Sequence, residues 1–104
     1  MSEYKVQGQW DLRQSNNIIV HLDIRPPRPD GSFVATATYG NVQGAGFGLV
    51  RDNQFTVQIR WTAGTEGAYI GVFDEAGKLR GATFDVTNPQ STASWSSDRS
   101  FQRS

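Results

Sequence analysis

Residues 52–87 decide the fold of this chain, and they read DNQFTVQIRWTAGTEGAYIGVFDEAGKLRGATFDVT. Apolar and polar residues alternate without a break from Gln54 to Trp61, which is typical of a strand that buries one face. The sequence Asp74-Glu75-Ala76-Gly77 suits a type I turn that ends on a glycine in the left-handed conformation. The stretch therefore predicts three consecutive antiparallel strands joined by tight turns.

The two-residue period extends to both sides of this stretch. Clusters of glycine, proline and asparagine separate the segments, so each is short enough to be one strand. The inward face stays open in residues 68–74, because both of their faces are apolar. In residues 81–86, Phe84 lies on the face opposite Thr83 and Asp85. The predicted strands are residues 4–12, 18–24, 32–39, a glycine-rich and bulged 44–50, 54–61, 68–74, 81–86 and 91–97, followed by a frayed tail over 98–104.

About eight short strands at a spacing of roughly 12 residues predict an all-β fold. Short connections favour a meander, and its closure into a barrel would remove the two edge strands. We therefore expect residues 1–104 to form one domain, a small antiparallel up-and-down β-barrel of the calycin or avidin type. An open sandwich is the alternative. The interior of such a barrel is either filled by side chains or holds one small ligand at its mouth.

The composition argues against several classes of partner and site. Ten basic and ten acidic residues balance, which disfavours a general electrostatic partner such as nucleic acid or an anionic membrane. No apolar run is long enough to span a bilayer, and the lack of cysteine excludes disulfides and thiolate metal sites. The first residues are polar, unlike a signal peptide. We expect a cytoplasmic protein or a secreted one whose leader has been removed.

The residues with catalytic potential are few, and each has a simpler interpretation. His21 is the only histidine, and because it lies on the polar face of a predicted strand we expect it to be exposed rather than to act as a base. His21 and Asp23 share that face, but two ligands make a poor metal site. Asp85 is expected to face solvent from its strand. The sequence therefore predicts a non-enzymatic protein with no catalytic residue, cofactor or metal.

Aromatic residues near strand ends are the strongest indication of a binding site. Strand ends meet at the rim of a barrel, where aromatic rings can bind sugars or flat ligands. The alternative is that these rings fill the barrel as core. Trp61 is the leading candidate, because the small polar segment 62–67 that follows it offers backbone and hydroxyl hydrogen bonds. The expected site residues lie at strand ends and in two adjoining loops: Trp10, Tyr39, Asn41, Gln43, Trp61, Thr62, Gly64, Tyr69 and Trp95.

Residues 8–64 contain one set of family-like motifs. They are Gly8-Gln9-Trp10-Asp11-Leu12, Thr36-Ala37-Thr38-Tyr39-Gly40, and Phe55-Thr56-Val57 followed by Trp61. On these motifs the segment resembles a repeat of the cyanobacterial Oscillatoria-type agglutinins. The resemblance implies that high-mannose glycans bind between the loop after Trp61 and the loop after Tyr39. Thr62-Ala63 stands where that family has Gly-Gly, and the loop 40–44 lacks the family's glutamate.

A second set of motifs spans nearly the whole chain. It comprises Gly8-Gln9-Trp10, Asp30-Gly31, Ala37-Thr38-Tyr39, Phe55-Thr56-Val57 with Trp61, and Ala93-Ser94-Trp95-Ser96 followed by Asp98 and Phe101. On these motifs the chain resembles the small barrels of avidin and streptavidin. The resemblance implies a ligand cup lined by Tyr39, Trp61 and Asp98, with Trp95 covering the site of a neighbouring subunit in a homo-oligomer. Leu12 replaces a biotin-binding asparagine, so the implied ligand is biotin-like rather than biotin.

The sequence as a whole favours a non-enzymatic binding barrel whose ligand is a carbohydrate. Three alternatives stay open. They are a barrel for a small apolar or biotin-like ligand, a small barrel enzyme of the cyclase type, and a structural or oligomerisation domain. A deep cavity lined by Tyr39, Trp61 and Phe84 would favour the first two, whereas a filled interior would favour the third.

Overall fold

The barrel predicted from the alternation is present, and it is closed. The structure, a computed structural model, describes residues 4–86, 90–97 and 102–103, and this part of the chain is all-β. Strands β2 to β9 follow one another in antiparallel pairs around the barrel, while β1 and β10 form a separate two-stranded sheet. The strands are β1 Tyr4–Lys5, β2 Gly8–Gln14, β3 Ile19–Ile24, β4 Ser32–Tyr39, β5 Val42–Arg51, β6 Gln54–Trp61, β7 Glu66–Phe73, β8 Leu79–Asp85, β9 Thr92–Ser97 and β10 Gln102–Arg103.

Closure joins the first and last strands of the barrel. β2 and β9 pair from Leu12 opposite Ser97 to Gln14 opposite Trp95, so the sheet closes on itself instead of ending in open edges. β10 then pairs with β1. Part of the predicted frayed tail is therefore a strand, and the rest of 98–104 lies outside the described residues. Nowhere in the described part of the chain is there a helix with the length and apolarity to cross a membrane.

The strands alternate in direction, so their connections collect at two ends of the barrel. We call the end formed by residues 15–18, 40–41, 62–65, 86 and 90–91 the Trp61 end. The end formed by residues 25–31, 52–53 and 74–78 is the Gly77 end. The predicted tight turn at the Gly77 end is confirmed, because Gly77 has a φ of 81° and its N–H donates to the Asp74 carbonyl oxygen at 2.9 Å.

Aromatic side chains fill the barrel from its middle towards the Gly77 end. Phe55 is fully buried, and its ring centroid lies 5.5 Å from that of Phe33, 6.4 Å from that of Phe73 and 6.3 Å from that of Trp95. Burial of apolar surface stabilises this core by about 25 cal/mol per Å². Side chains therefore fill this part of the barrel interior.

Trp95 fits into the interior because Gly71 has no side chain beside its ring. Gly71 in β7 and Gly81 in β8 are directly opposed in the ladder. A Cβ atom at Gly81 would lie 1.8 Å from the Ile70 carbonyl oxygen, and one at Gly71 would lie 2.9 Å from the Trp95 ring. A side chain at position 81 would therefore collide with the backbone of β7, and one at position 71 would collide with the indole.

This packing fixes which faces of β7 and β8 point inward. Tyr69 is buried, whereas Ile70 and Val72 are exposed. In β8 every second residue points inward, and Thr83 is one of these inward-series residues. The residues between them, including Phe84, form the outward series. Because the side chains of a strand alternate, Asp85 lies on the inward series with Thr83. The expectation that Asp85 faces open solvent is therefore wrong.

Several strand boundaries also differ from the prediction. The first predicted strand is divided after Lys5, since Gly8 has a φ of 124° that interrupts an extended segment. β5 begins at Val42, so Gln43 lies in a strand rather than in a loop. β5 also pairs with β4 and β6 without a break in register, so the expected bulge is absent from it. β7 begins at Glu66, two residues before the predicted start.

Candidate functional site

A cavity opens at the Trp61 end, where the aromatic filling of the barrel stops. Its volume is about 140 Å³, close to that of a protein cavity that holds one six-membered ring. Its lining comes from the ends of several strands and from the turns between them, namely Gln14, Asn16, Ile18, Tyr39, Trp61, Thr65, Glu66, Gly67, Tyr69, Thr83, Phe84, Asp85, Ser91, Thr92 and Ala93.

Two further depressions lie on the outer wall of the barrel. One, of about 470 Å³, surrounds Arg13 and Arg80, and the other, of about 350 Å³, surrounds His21 and Thr36. These four side chains stand on the outward series of their strands. The cavity at the Trp61 end is smaller, but it lies at a mouth of the barrel, where Tyr39, Trp61 and Tyr69 belong to its lining. Ligand sites in barrels favour such a mouth.

Aromatic rings form one side of the cavity. Trp61 ends β6 and is 6% exposed. Its ring lies against Gly44, where a Cβ atom would come within 2.7 Å of Cε3. Tyr39 ends β4, and its ring meets that of Trp61 edge to face, with the centroids 4.6 Å apart and the planes at 88°. Both residues are the last of regularly alternating strands, which is why the sequence could place them at one mouth.

A hydrogen-bonded relay crosses the inner part of the cavity. The Tyr69 hydroxyl donates to Gln14 Oε1 at 2.6 Å, and Gln14 Nε2 donates to Asn16 Oδ1 at 3.2 Å. The backbone N–H of Ile18 donates to the same Asn16 oxygen at 3.2 Å. Burial raises the pKa of Tyr69 to about 12, and the hydroxyl of Thr83 opposes part of that shift. The relay fixes the Gln14 amide against β7 on the far side of the mouth.

Asp85 supplies a carboxylate on the inward series of β8. It is half-buried, stands opposite Gly67 in the ladder and lines the cavity. Its backbone N–H donates to the Ser91 carbonyl oxygen at 3.1 Å, which holds the β8–β9 connection at the rim. The missing side chain of Gly67 keeps this part of the mouth open. A Cβ atom there would make ordinary contacts, with Trp61 Nε1 the second nearest atom at 3.6 Å.

The charged lining of the cavity is acidic. Glu66 is the second acidic residue, but its two carboxylate oxygens accept hydrogen bonds from Gln58 Nε2 at 2.5 Å and Arg60 Nε at 3.2 Å. Among the described residues that line the cavity, none is a lysine, an arginine or a histidine. The described lining therefore combines aromatic rings, amides, hydroxyls and two carboxylates, and it contains no cationic side chain.

The structure brings three of the predicted site residues together around this cavity, namely Tyr39, Trp61 and Tyr69. Four others are exposed at the same end and stand outside the lining: Asn41, Gln43, Thr62 and Gly64. The Thr62 N–H donates to the Gln43 carbonyl oxygen at 2.8 Å, so these two loops are joined beside the mouth.

The two remaining tryptophans belong to the core. Trp10 lies towards the Gly77 end, where its indole N–H donates to the Val6 carbonyl oxygen at 2.9 Å. Trp95 stands in the interior between Phe55 and Tyr69, and its buried indole N–H has no hydrogen-bond acceptor in the described part of the chain. Asp98, which the avidin resemblance implies for the cup, lies outside the described residues.

Sequence reasoning missed several lining residues, and one signal could have found some of them. In an up-and-down barrel every second connection lies at the same end. That rule places the connection between predicted strands 4–12 and 18–24 at the same end as Trp61, and this connection contains Gln14 and Asn16. Gly67, Thr83 and Asp85 could not be found in this way, because their facing depends on the packing around Trp95.

The remaining candidate for catalysis stands apart from the cavity. His21 is exposed on the outer wall, as expected, and its Nδ1 lies 2.5 Å from Oδ1 of Asp11 rather than near Asp23. Within residues 4–86, 90–97 and 102–103, histidine, cysteine and acidic side chains form no group of three or more that could hold a metal ion.

Comparison with protein-family models gives no match for this chain. A search of curated proteins likewise returns no match. The two family resemblances therefore rest on their sequence motifs alone.

Proposed function

We propose that this chain is a non-enzymatic carbohydrate-binding protein that holds one sugar ring in the cavity at the Trp61 end. The observation that carries the proposal is the meeting of aromatic rings and fixed hydrogen-bonding groups around a space of about 140 Å³. A pyranose has apolar C–H faces and hydroxyls at its edge. It therefore needs a site that offers both kinds of contact.

Each kind of contact has an identified source. Trp61 and Tyr39 supply ring surface at one side of the mouth. Gln14, Thr83 and Asp85 supply amide, hydroxyl and carboxylate groups on the other strands of the lining. The relay from Tyr69 restrains Gln14 before a ligand arrives, and such preorganisation reduces the entropy lost on binding.

Two competing proposals use the same cavity. A small apolar or biotin-like ligand would leave part of the polar lining without partners, which costs free energy. A cyclase-type enzyme would use the cavity to shape a reactive substrate. The described lining supports it less, because Glu66 is held by Arg60 and Asp85 is the remaining carboxylate. A bound sugar would use more of the polar and aromatic lining residues than either competing proposal.

Substituting Gly67 tests the proposal without removing any core side chain. Gly67→Val would place a branched side chain between Trp61 and Tyr69, where a first carbon already fits at ordinary contact distances. Saccharide affinity, measured by glycan array and by calorimetric titration of each hit, should fall at least about tenfold, as expected for a steric misfit of this size. Ala68→Val is the matched control, because residue 68 is next in β7 and belongs to the outward series.

The outcomes separate clearly. Loss of binding in Gly67→Val with retained binding in Ala68→Val supports the site, provided that circular dichroism shows both variants folded. Gly67→Ala is the milder substitute if the valine variant does not fold. A parent protein that binds no saccharide on the array contradicts the carbohydrate proposal. Equal binding by the parent and a folded Gly67→Val variant contradicts the cavity as the location.

We also propose that the chain forms a homo-oligomer through one side of the barrel. Phe47 in β5 is 62% exposed and stands opposite the exposed Val34 of β4, and three further exposed aliphatic side chains lie on β5 and, beyond β6, on β7. We call these five residues the apolar wall: Val34, Phe47, Leu49, Ile70 and Val72. Contiguous exposed apolar patches commonly mark interaction surfaces.

The charge pattern favours a second copy of the chain as the partner. Between the strands of the apolar wall, β6 presents the uncharged side chains of Gln54, Thr56 and Gln58. Two such faces can meet without like-charge repulsion. The outward faces of β2 and β3 are charged instead. β2 carries Asp11 and Arg13, β3 carries Asp23, and Arg25 directly follows β3.

Light scattering coupled to size exclusion tests this association. The parent should elute as a dimer or larger oligomer, and Phe47→Asp should elute as a monomer, because a charge would be buried at the interface. Ser94→Asp, on β9 at the opposite side of the barrel, adds the same charge and should leave the oligomer intact. A parent that stays monomeric at high concentration rules the association out.

A further inference from the structure

We propose that the depression on the outer wall over β9 binds a phosphate group, either the free ion or a phosphate monoester. We call it the β9 depression, and its volume is about 470 Å³. Among the described residues that line it, Arg13, Lys78 and Arg80 are basic and none is acidic. Basic and acidic residues balance over the chain as a whole, so the fold has gathered positive charge at this place.

The strand register brings the two arginines to either side of one serine. Ser96 in β9 stands directly opposite Arg13 in β2 on one side and Arg80 in β8 on the other. Directly paired residues share a face of the sheet, so all three stand on the outer wall. Neighbouring strands lie about 5 Å apart, which puts the backbones of the two arginines about 10 Å apart. Two long cationic side chains can therefore converge above one short hydroxyl side chain.

These side chains have hydrogen-bond donors to offer a ligand. Arg13 forms no ion pair with another described residue. Nε of Arg80 lies 3.3 Å from Oδ2 of Asp74, but a guanidinium carries five N–H donors. Asp74 therefore orients Arg80 without using all of its donors. Ser96 adds a hydroxyl, and Lys78 adds a third cation from the turn before β8.

The charge and extent of the row favour a phosphate group. Three cations and the carboxylate of Asp74 leave a local charge of about +2, which matches the charge of about −1.5 to −2 on a phosphate monoester at pH 7. Its oxygens can accept from two guanidinium groups and a hydroxyl together. A long polyanion such as nucleic acid would also extend along β2 onto Asp11, where like charges repel.

The position of the depression gives binding a structural consequence. β2 and β9 close the barrel through three residue pairs in the described part of the chain. A phosphate group held by Arg13 and Arg80 would bridge β2 and β8 across β9. Because the bridge exists in the folded barrel alone, phosphate should raise the temperature of unfolding.

A titration followed by amide NMR tests the site. Inorganic phosphate, methyl phosphate and acetate are added separately at about pH 7.5 and constant ionic strength. Phosphate should shift the amide signals of residues 13–15 and 94–96, and acetate should bind at least about fivefold more weakly because it carries less charge. If inorganic phosphate binds as tightly as methyl phosphate, the free ion is the ligand. Tighter binding of methyl phosphate identifies an ester.

Substitutions on both sides of Ser96 locate the anion. Arg13→Gln and Arg80→Gln should each raise the dissociation constant of the tighter phosphate probe at least about fivefold, the size of one exposed charge-assisted hydrogen bond. Arg51→Gln is the matched control, because Arg51 is an exposed arginine on β5, across the barrel from β9. If Arg80→Gln does not fold, Ser94→Asp replaces it, since a carboxylate in the lining should abolish binding.

Each result bears on the proposal. Phosphate that leaves these amide signals unmoved in the parent overturns it, and so does acetate that binds as tightly as phosphate. An equal loss in Arg51→Gln would show attraction to net charge and would also overturn it. So would unchanged binding in a folded Arg13→Gln or Arg80→Gln variant. Gly67→Val, which alters the cavity at the Trp61 end, should bind phosphate as the parent does, so failure of the carbohydrate proposal leaves this one standing.

Discussion

Replacing Tyr69 by phenylalanine should make the stability of the protein less sensitive to alkaline pH. The Tyr69 side chain is 4% exposed, and its ring centroid lies 5.9 Å from that of Trp95. Its hydroxyl donates to Gln14 Oε1 at 2.6 Å. Ionisation would put a phenolate beside an oxygen that carries lone pairs of its own, in a place with little water. Burial therefore raises the pKa of Tyr69 to about 12.

The direction and size of the effect follow from proton linkage. A tyrosine in the unfolded chain titrates near pH 10, so between about pH 10 and 12 the unfolded chain releases a proton that the folded chain keeps. The free energy of unfolding contributed by Tyr69 is therefore complete below about pH 10 and is lost as the pH rises towards 12. A shift of about two pKa units corresponds to about 2–3 kcal/mol.

Urea unfolding at intervals between about pH 8 and pH 12 measures this contribution. At neutral pH Tyr69→Phe should cost about 1 kcal/mol, since Gln14 loses its hydrogen-bond donor. At higher pH the gap between parent and variant should close and then reverse. Tyr39→Phe is the control, because it removes a tyrosine from the same cavity and leaves the relay intact. A stability difference between the parent and Tyr69→Phe that stays constant with pH would refute the reasoning.

Three further substitutions test the packing, each by urea unfolding. Gly81→Ala should lower the free energy of unfolding by at least about 3 kcal/mol, because its Cβ atom would lie 1.8 Å from the Ile70 carbonyl oxygen; a cost below 1 kcal/mol would contradict that close approach. Trp61→Ala should cost about 3–5 kcal/mol as a buried aromatic deletion, so unchanged stability would mean that the ring is not core. Asp74→Ala should cost about 1 kcal/mol, because its carboxylate accepts two backbone N–H groups of its own turn at 2.9 Å each; a cost near zero would show that the turn does not need it.

The parts of the fold that the sequence predicted well are those with local causes. The alternation in β6 places Phe55 and Trp61 inward whatever the rest of the chain does, since side chains of a strand alternate between its faces. Gly77 marks a turn because its left-handed conformation is costly for other residues. Barrel closure was predictable from the number of strands and the need to remove edges.

The faces of β7 and β8 could not be predicted, because their cause lies elsewhere in the chain. Hydrophobicity does not choose between the two faces of β7, because Ile70 and Val72 are as apolar as Tyr69 and Phe73, yet Ile70 and Val72 are the exposed ones. The deciding factor is the volume of Trp95, which is a partner in space rather than in sequence. Its ring needs the room that Gly71 leaves, and Gly81, opposite Gly71 in the ladder, lets the two strand backbones approach closely.

The same packing choice connects the cavity to the apolar wall. β7 and β8 are held in one register, with Tyr69 opposite Thr83 and Gly67 opposite Asp85. Turning the glycines towards Trp95 therefore also turns Thr83 and Asp85 into the mouth, because alternate residues share a face. It necessarily turns the residues between them, among them Ile70, onto the outer surface. The acidic cavity and the exposed apolar side chains of β7 are thus two results of one requirement, which is space for a buried tryptophan. A change that reversed the facing of β7 and β8 would remove both together.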